Sequence, residues 1–124
     1  MAYKDFPRPE PPVMGASTLV GEKVVDAKGK DVGKIEEIMF DTRTGKVAYA
    51  VLSFGGILGV GDKLFAVPWK ALRFYPDNEQ FLLGLDRERL EKAPGFDRDH
   101  WPKMGDFKWA SEIHWYYRAP PYWE

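Results

Sequence analysis

His100 and His114 are the chain's two histidines, and Asp97, Asp99 and Glu112 lie close by in the sequence, so a metal site is the first chemistry to weigh. Imidazole and carboxylate are the ligand types of a zinc centre, but such centres are recognised by short fixed spacings, and none is present here. Surface or interface histidines, with no bound metal, are the expectation. Glu36, Glu37 and Asp41 invite a second reading as a pair of acids for general acid and base work. Adjacent strand residues point to opposite faces, however, and no nucleophile or histidine lies nearby in sequence. The run Gly55-Gly56-Ile57-Leu58-Gly59-Val60-Gly61 has two glycines, Gly56 and Gly61, at the spacing of a phosphate-binding loop, with Lys63 close behind. Asp62 breaks the pattern, because that loop needs lysine directly after the second glycine and a helix whose first amides face the phosphate, whereas a strand is predicted to follow. Lys23, Lys28, Lys30 and Lys34 are basic enough to meet phosphates, although Glu22, Asp26 and Asp31 offset them. With no cysteine in the chain, thiolate ligands, disulfides and cysteine nucleophiles are excluded. No acid, base and nucleophile converge, so the sequence predicts a protein that is not an enzyme and carries no cofactor.

The elements that position these residues belong to one domain. A chain of 124 residues can bury one core and has no room for a second full domain. Eighteen basic residues against nineteen acidic ones give a formal charge of -1, and with it no general field for a polyanion, so nucleic acid is not an expected partner. Apolar runs such as Val47 to Ser53 fall far short of the roughly 20 residues that span a bilayer. The first sixteen residues carry charges and Pro7, Pro9, Pro11 and Pro12 where a signal peptide needs an apolar stretch, so a cytoplasmic location is expected. Those prolines also read as a polyproline-type arm, residues 1–17, that adds little to folding.

From Thr18 onward, short β-branched runs alternate with glycine and charge, the pattern of strands joined by tight turns. Leu19 to Asp26 and Val32 to Asp41 flank Ala27-Lys28-Gly29-Lys30-Asp31 and are predicted to form a hairpin. Ile35, Ile38 and Phe40 share an inward face only if one extra residue is inserted at Glu36-Glu37, which predicts a β-bulge. Thr42-Arg43-Thr44-Gly45 makes the next turn. Lys46 to Phe54 is apolar on both faces and must be central or lie in an interface. Asp62 to Val67 ends at Pro68-Trp69, with Trp69 expected to plug one end of the core. Ala71 to Tyr75 and Gln80 to Leu85 flank the turn Pro76-Asp77-Asn78-Glu79. Six strands at this spacing predict a mainly β fold, a small antiparallel barrel, with Ile35, Ile38, Phe40, Val51, Leu64, Val67 and Leu82 inside. One short helix is expected from Asp86, its cap, to Ala93, with Leu85 and Leu90 as a hydrophobic staple, Glu88 and Lys92 as a pair, and Pro94 as the stop.

The order of Leu19-Val20-Gly21-Glu22-Lys23-Val24-Val25-Asp26, Gly33-Lys34-Ile35-Glu36-Glu37-Ile38-Met39-Phe40-Asp41, Thr44-Gly45-Lys46-Val47-Ala48-Tyr49-Ala50-Val51-Leu52-Ser53 and Val67-Pro68-Trp69-Lys70-Ala71-Leu72 resembles the PRC-barrel family. The resemblance runs from about Thr18 to Pro94 and implies a six-stranded barrel followed by a short helix, residues 18–93. It also implies a docking or assembly role: the family includes the cytoplasmic domain of the photosynthetic reaction-centre H subunit and the second domain of a ribosome-maturation factor. No shared catalytic residue comes with it.

Residues 94–124 have no clear periodicity yet hold nine aromatics and four of the five tryptophans. Disordered tails are poor in aromatics, so this extension is predicted to be ordered, wrapping the barrel or a neighbouring subunit. Trp101, Phe107, Trp109, Trp115, Tyr116, Tyr117, Tyr122 and Trp123 are its candidate interface residues. A non-catalytic binding module working through protein contacts, paired as a homo-oligomer with a dimer as the first expectation, is the leading function. An RNA- or ribosome-assembly accessory protein is the alternative.

Overall fold

Each polar turn closes a hairpin in the computed structural model, which describes residues 13–54 and 63–124. β1 (Lys23–Val25) and β2 (Asp31–Phe40) pair antiparallel around a turn in which Gly29 takes a φ of 79°. Asp26 organises that turn, since one of its carboxylate oxygens accepts from the Lys28 and Lys30 N–H groups at 2.9 Å each. The next turn repeats the device: Asp41 accepts from the Arg43 N–H at 2.8 Å, and Gly45 supplies the left-handed residue before β3 (Val47–Phe54). β4 (Lys63–Pro68) pairs antiparallel with β3, and Pro68 leads into a 3-10 turn, Trp69–Ala71. β5 (Leu72–Tyr75) and β6 (Gln80–Leu83) form the last hairpin.

The six strands make one curled sheet in the order β4-β3-β2-β1-β6-β5. The mainly β expectation holds, but the sheet is mixed, because β1 and β6 run parallel, Val24 beside Phe81. A tight turn forces antiparallel pairing only on consecutive strands, whereas β6 reaches β1 after the chain has crossed the whole sheet, so local turn signals leave that direction open.

The expected bulge is present. Ile35 pairs with Leu52, Glu37 with Val51 and Ile38 with Ala50, so Glu36 is the extra residue and both isoleucines share a face with Ala50 and Leu52. A second register shift, between Met39 and Phe40, turns Phe40 outward to 58% exposure, which corrects its placement in the core. Leu82 is corrected as well. Its neighbours Phe81 and Leu83 are buried and Leu82 is only half-buried, the phase of β6 being set by its pairing with β1. Ile35 and Val67 are buried in the core as expected, whereas Val51 and Leu64 are corrected: they are buried on the opposite face of the sheet, because strand alternation turns Val51 away from Ala50 and Leu52. Trp69 packs edge-on against Phe81.

β3 is buried on both faces, as its sequence requires. Ala50 and Leu52 pair with Val67 and Phe65 on one side of the sheet, and Val51 and Ser53 pair with Ala66 and Leu64 on the other. α1 (Ala16–Leu19) and α2 (Arg87–Glu91) are short. Asp86 stands at the start of α2 without a side-chain capping bond; the cap comes from Asp26, whose second oxygen accepts from the Arg87 N–H at 3.0 Å. Leu85 and Leu90 are buried as a staple requires, while Glu88 faces Lys30 at 3.5 Å and the i,i+4 pair is Arg87 with Glu91 at 3.3 Å.

The extension is ordered, and part of it is helical. α3 (Phe107–Tyr117) is capped by Asp106, which accepts from the Lys108 N–H at 2.9 Å. Ala110, Ile113, His114 and Tyr117 are its buried face, a helical stripe that aromatics on the other face obscure in the sequence. The single helix expected is thus joined by α1, the 3-10 turn and α3. Upstream of α3, Phe96 exchanges two backbone hydrogen bonds with Leu64, at 2.8 and 3.0 Å, on the outer edge of β4. Gly95 permits this approach, for a Cβ there would stand 2.9 Å from the Leu64 carbonyl oxygen. Most of the proline-rich arm (residues 1–12) and the glycine-rich loop (55–62) lie outside the described residues. Among the described residues, no helix is long and apolar enough to cross a membrane.

Candidate docking surface

The extension is fastened to the sheet at three places and to α2 at a fourth. Phe96 bridges Leu64, as above, and Arg98 forms an ion pair with Glu36, the bulge residue. Tyr49, projecting from β3, meets Trp109, His114 and Tyr122 at ring separations of 5.3, 5.4 and 5.9 Å. Tyr116 and Arg89 clamp α3 to α2: the Tyr116 hydroxyl donates to the Arg89 carbonyl, the guanidinium donates to the Tyr116 carbonyl at 3.2 Å, and it lies 4.9 Å above the tyrosine ring.

The aromatic residues expected at an interface therefore divide into two sets. Tyr117 is buried, and Trp109, Tyr116, Tyr122 and Trp123 are half-buried as part of the cover over β3 and β4. Trp115 is 80% exposed, Phe107 53% and Trp101 41%. The misplaced Phe40 joins this outer set, sharing with Phe107, Met39 and Met104 a cleft of about 320 Å³. A single sequence gives no signal for that surface, since Phe40 reads as one more inward residue until the second register shift is known.

The candidate residues for chemistry fall in separate local surroundings. His114 Nδ1 donates to the Ala110 carbonyl at 2.7 Å, its Nε2 is buried without a partner, and burial holds its pKa below the usual histidine value. The hydroxyls of Tyr49 and Tyr117 are also buried without partners, and burial raises the pKa of both. His100 is exposed, 3.8 Å from Asp97, in surroundings unlike those of His114. Among the described residues, no group of three or more His, Asp or Glu side chains is placed to hold a metal ion. Glu36 pairs with Arg98, Glu37 accepts from the Ile38 N–H at 3.2 Å, and Asp41 is held below its ordinary pKa by its hydrogen bond from the Arg43 side chain, so the three acids serve three separate local structures. The hairpin lysines are offset too: Lys23 faces Asp31, Lys28 faces Asp86 and Lys30 faces Glu88, at 3.9, 3.9 and 3.5 Å.

A cationic groove that sequence reasoning missed lies between the 3-10 turn, β5 and the ends of α2 and α3. Lys70, Arg73, Arg89 and Arg118 line it, from four separate places in the chain, around a volume of about 490 Å³. Arg118 is the one residue with a local signal, because it occupies the left-handed position, φ 55°, that ends α3 and that glycine usually fills.

No curated protein matches this chain. Among solved structures, it is similar to one from Pseudomonas aeruginosa described as a 16S ribosomal RNA processing protein, RimM, at 20% sequence identity and a TM-score of 0.43. That match covers 67% of this chain and 50% of the other, so the present chain spans about half the length of the protein it resembles. The family model of the PRC-barrel domain matches residues 11–82, which take in β1 to β5 and all of β6 but its last residue, and the chain belongs to that family.

Proposed function

We propose that this protein is a non-catalytic docking module that works through protein contacts, in the cytoplasm, and pairs with a second copy of itself. The observation that supports this reading is the division of the extension's aromatics. One set covers the outer face of the sheet, while Trp115, Phe107 and Trp101 stay exposed, with Phe40 beside Phe107. Exposed large apolar side chains, Phe40 and Phe107 together at one cleft and Trp115 at another, favour a partner that removes them from water, and tryptophan is a preferred anchor of such contacts. The engagement of each candidate acid and histidine in local structure argues against catalysis, and no cofactor is required.

Two measurements test the proposal. Sedimentation equilibrium of the full chain should give a dimer that Phe107→Glu converts to monomer; a monomer at high micromolar concentration would remove the self-association. Affinity isolation from the native host with the wild-type chain and with Trp115→Ser should recover a protein that the variant loses, both baits having the same melting temperature. Recovery of RNA instead, released as salt is raised, would favour the RNA- or ribosome-assembly accessory role, because phosphate contacts weaken steeply with ionic strength.

A further inference from the structure

The cationic groove adjoins a second recess, of about 420 Å³, and the two share Arg89 and Arg118 as a common wall. Ser111, His114, Trp115, Ala119 and Pro121 complete the lining of the recess. Asp86 is the one carboxylate lining the groove, and Lys28 already faces it at 3.9 Å. Among the described residues, Lys70, Arg73 and Arg118 have no acidic partner, and the Arg89 Nε is a buried donor with nothing to donate to. These four cations are uncompensated, in contrast to the lysines of the first hairpin.

We infer that this paired groove and recess bind a carboxylate-rich segment of a partner protein, with two or more acidic side chains in the groove and one apolar side chain seated against Trp115. The inference rests on the docking reading above and names the chemistry of the partner. Guanidinium groups suit carboxylates because their forked N–H groups meet both oxygens at once; Arg73 and Arg118 offer two such forks around one space, and Arg89, already bonded to the Tyr116 carbonyl, adds its charge. Charge complementarity thus selects an acidic ligand, and the recess selects its class. A nucleobase placed there would bring several polar edges to a recess lined in large part by Ala119, Pro121 and Trp115. A phenylalanine or leucine side chain brings none. The chain's overall charge of -1 likewise provides no long-range field to gather a nucleic acid, whereas a local cluster suffices for a short acidic peptide. Arg118 adds a further indication, since a side chain that occupies the left-handed position in place of glycine is retained there at a conformational cost.

The test uses the ¹⁵N-labelled full chain, titrated at low salt and followed by NMR. One probe is the blocked peptide Gly-Glu-Glu-Phe-Glu-Glu-Gly, a second has Gly in place of Phe, and a third is an oligouridylate of equal charge. The first peptide should move the backbone amides of Arg73, Arg89 and Arg118. Arg73→Glu and Arg118→Glu should each weaken it by about tenfold or more, the scale of one lost charge-assisted contact, while Lys46→Glu on the β2–β3 turn, which does not line the groove, leaves it nearly unchanged. Trp115→Ala should weaken the Phe peptide by several-fold and leave the Gly peptide as it was. Arg73→Gln, which removes charge without reversing it, serves if a reversal disturbs folding. Equal binding by wild type and both arginine variants overturns the inference, as does tighter binding of the oligouridylate or an absence of shifts at the groove. If the Trp115-dependent partner of the preceding section is recovered while the acidic peptide leaves the groove unmoved, this inference falls and the docking reading stands. Loss of that partner alongside specific peptide binding gives the converse.

Discussion

Asp26 joins the first hairpin to α2. Its carboxylate is fully buried, a position that by itself would raise its pKa, yet the N–H groups of Lys30, Arg87 and Lys28 outweigh the burial and hold it below the ordinary 3.8. Asp26→Asn keeps the oxygen facing Lys28 and Lys30 and turns an NH₂ toward the Arg87 N–H, so it should cost about 2 kcal/mol, the scale of a hydrogen bond to a charged group. Urea denaturation at pH 7 measures it, and an unchanged midpoint would refute the role. Because the folded value lies below the unfolded one, the stabilisation from Asp26 is complete above 3.8 and disappears as pH falls through the folded value. His114 acts at higher pH. Burial lowers its pKa from 6.5, so the unfolded chain binds a proton first and stability should decline as pH drops below 6.5. The slope of stability against pH between 6.5 and the folded value should flatten in His114→Leu. Parallel curves for the two proteins would assign the slope to other groups.

At the scale of elements, β2 carries the irregularities that shape the sheet. Gly33 has a φ of 120°, and a Cβ there would stand 2.0 Å from the Ser53 carbonyl oxygen, so the β2–β3 pairing itself excludes any other residue. Gly33→Ala should destabilise by more than about 2 kcal/mol, since it meets both an unfavourable φ and a backbone clash. Thermal melting would show it as a large drop. Gly29 in the first turn has open space around its missing Cβ, and Gly29→Asn, which tolerates the left-handed conformation, is the matched control that should change little. The bulge at Glu36 follows the same logic: it keeps Ile35 and Ile38 on one face, and its extra residue is the one that holds Arg98 of the extension.

At the scale of the whole molecule, the outer face of β3 and β4 is covered by the molecule's own C-terminal chain. Tyr49, Val51, Leu64 and Ala66 are buried, with the extension attached along the same strands. Removal of residues 94–124 would return that face to water, a loss of roughly 5 kcal/mol or more and comparable to the full stability of a small domain. The truncated chain should aggregate, or melt far below the full protein, in differential scanning calorimetry. A soluble truncation with the full protein's melting temperature would mean that the extension adds nothing to the fold. Phe107→Glu, by contrast, touches an exposed side chain and should change association while leaving the melting temperature almost unmoved.

The sequence by itself determined what is local. Asp26-x-x-Gly29 and Asp41-x-x-x-Gly45 carry their own turn chemistry, the phase break at Glu36-Glu37 announces the bulge, and Lys46 to Phe54, apolar on both faces, demands two covered sides. Those signals sufficed for the strands, the hairpins and the family resemblance. Tertiary structure alone decided which way β6 runs beside β1, because no turn links them; where Phe40 points, because a second register shift intervenes; and what covers β3, because the buried stripe of α3 is hidden among aromatics on its other face. The cationic groove belongs to the same category. Lys70, Arg73, Arg89 and Arg118 are unremarkable where they stand in the chain, and only the packing of the 3-10 turn, β5, α2 and α3 against one another brings their charges to one place with Asp86 as the one carboxylate beside them.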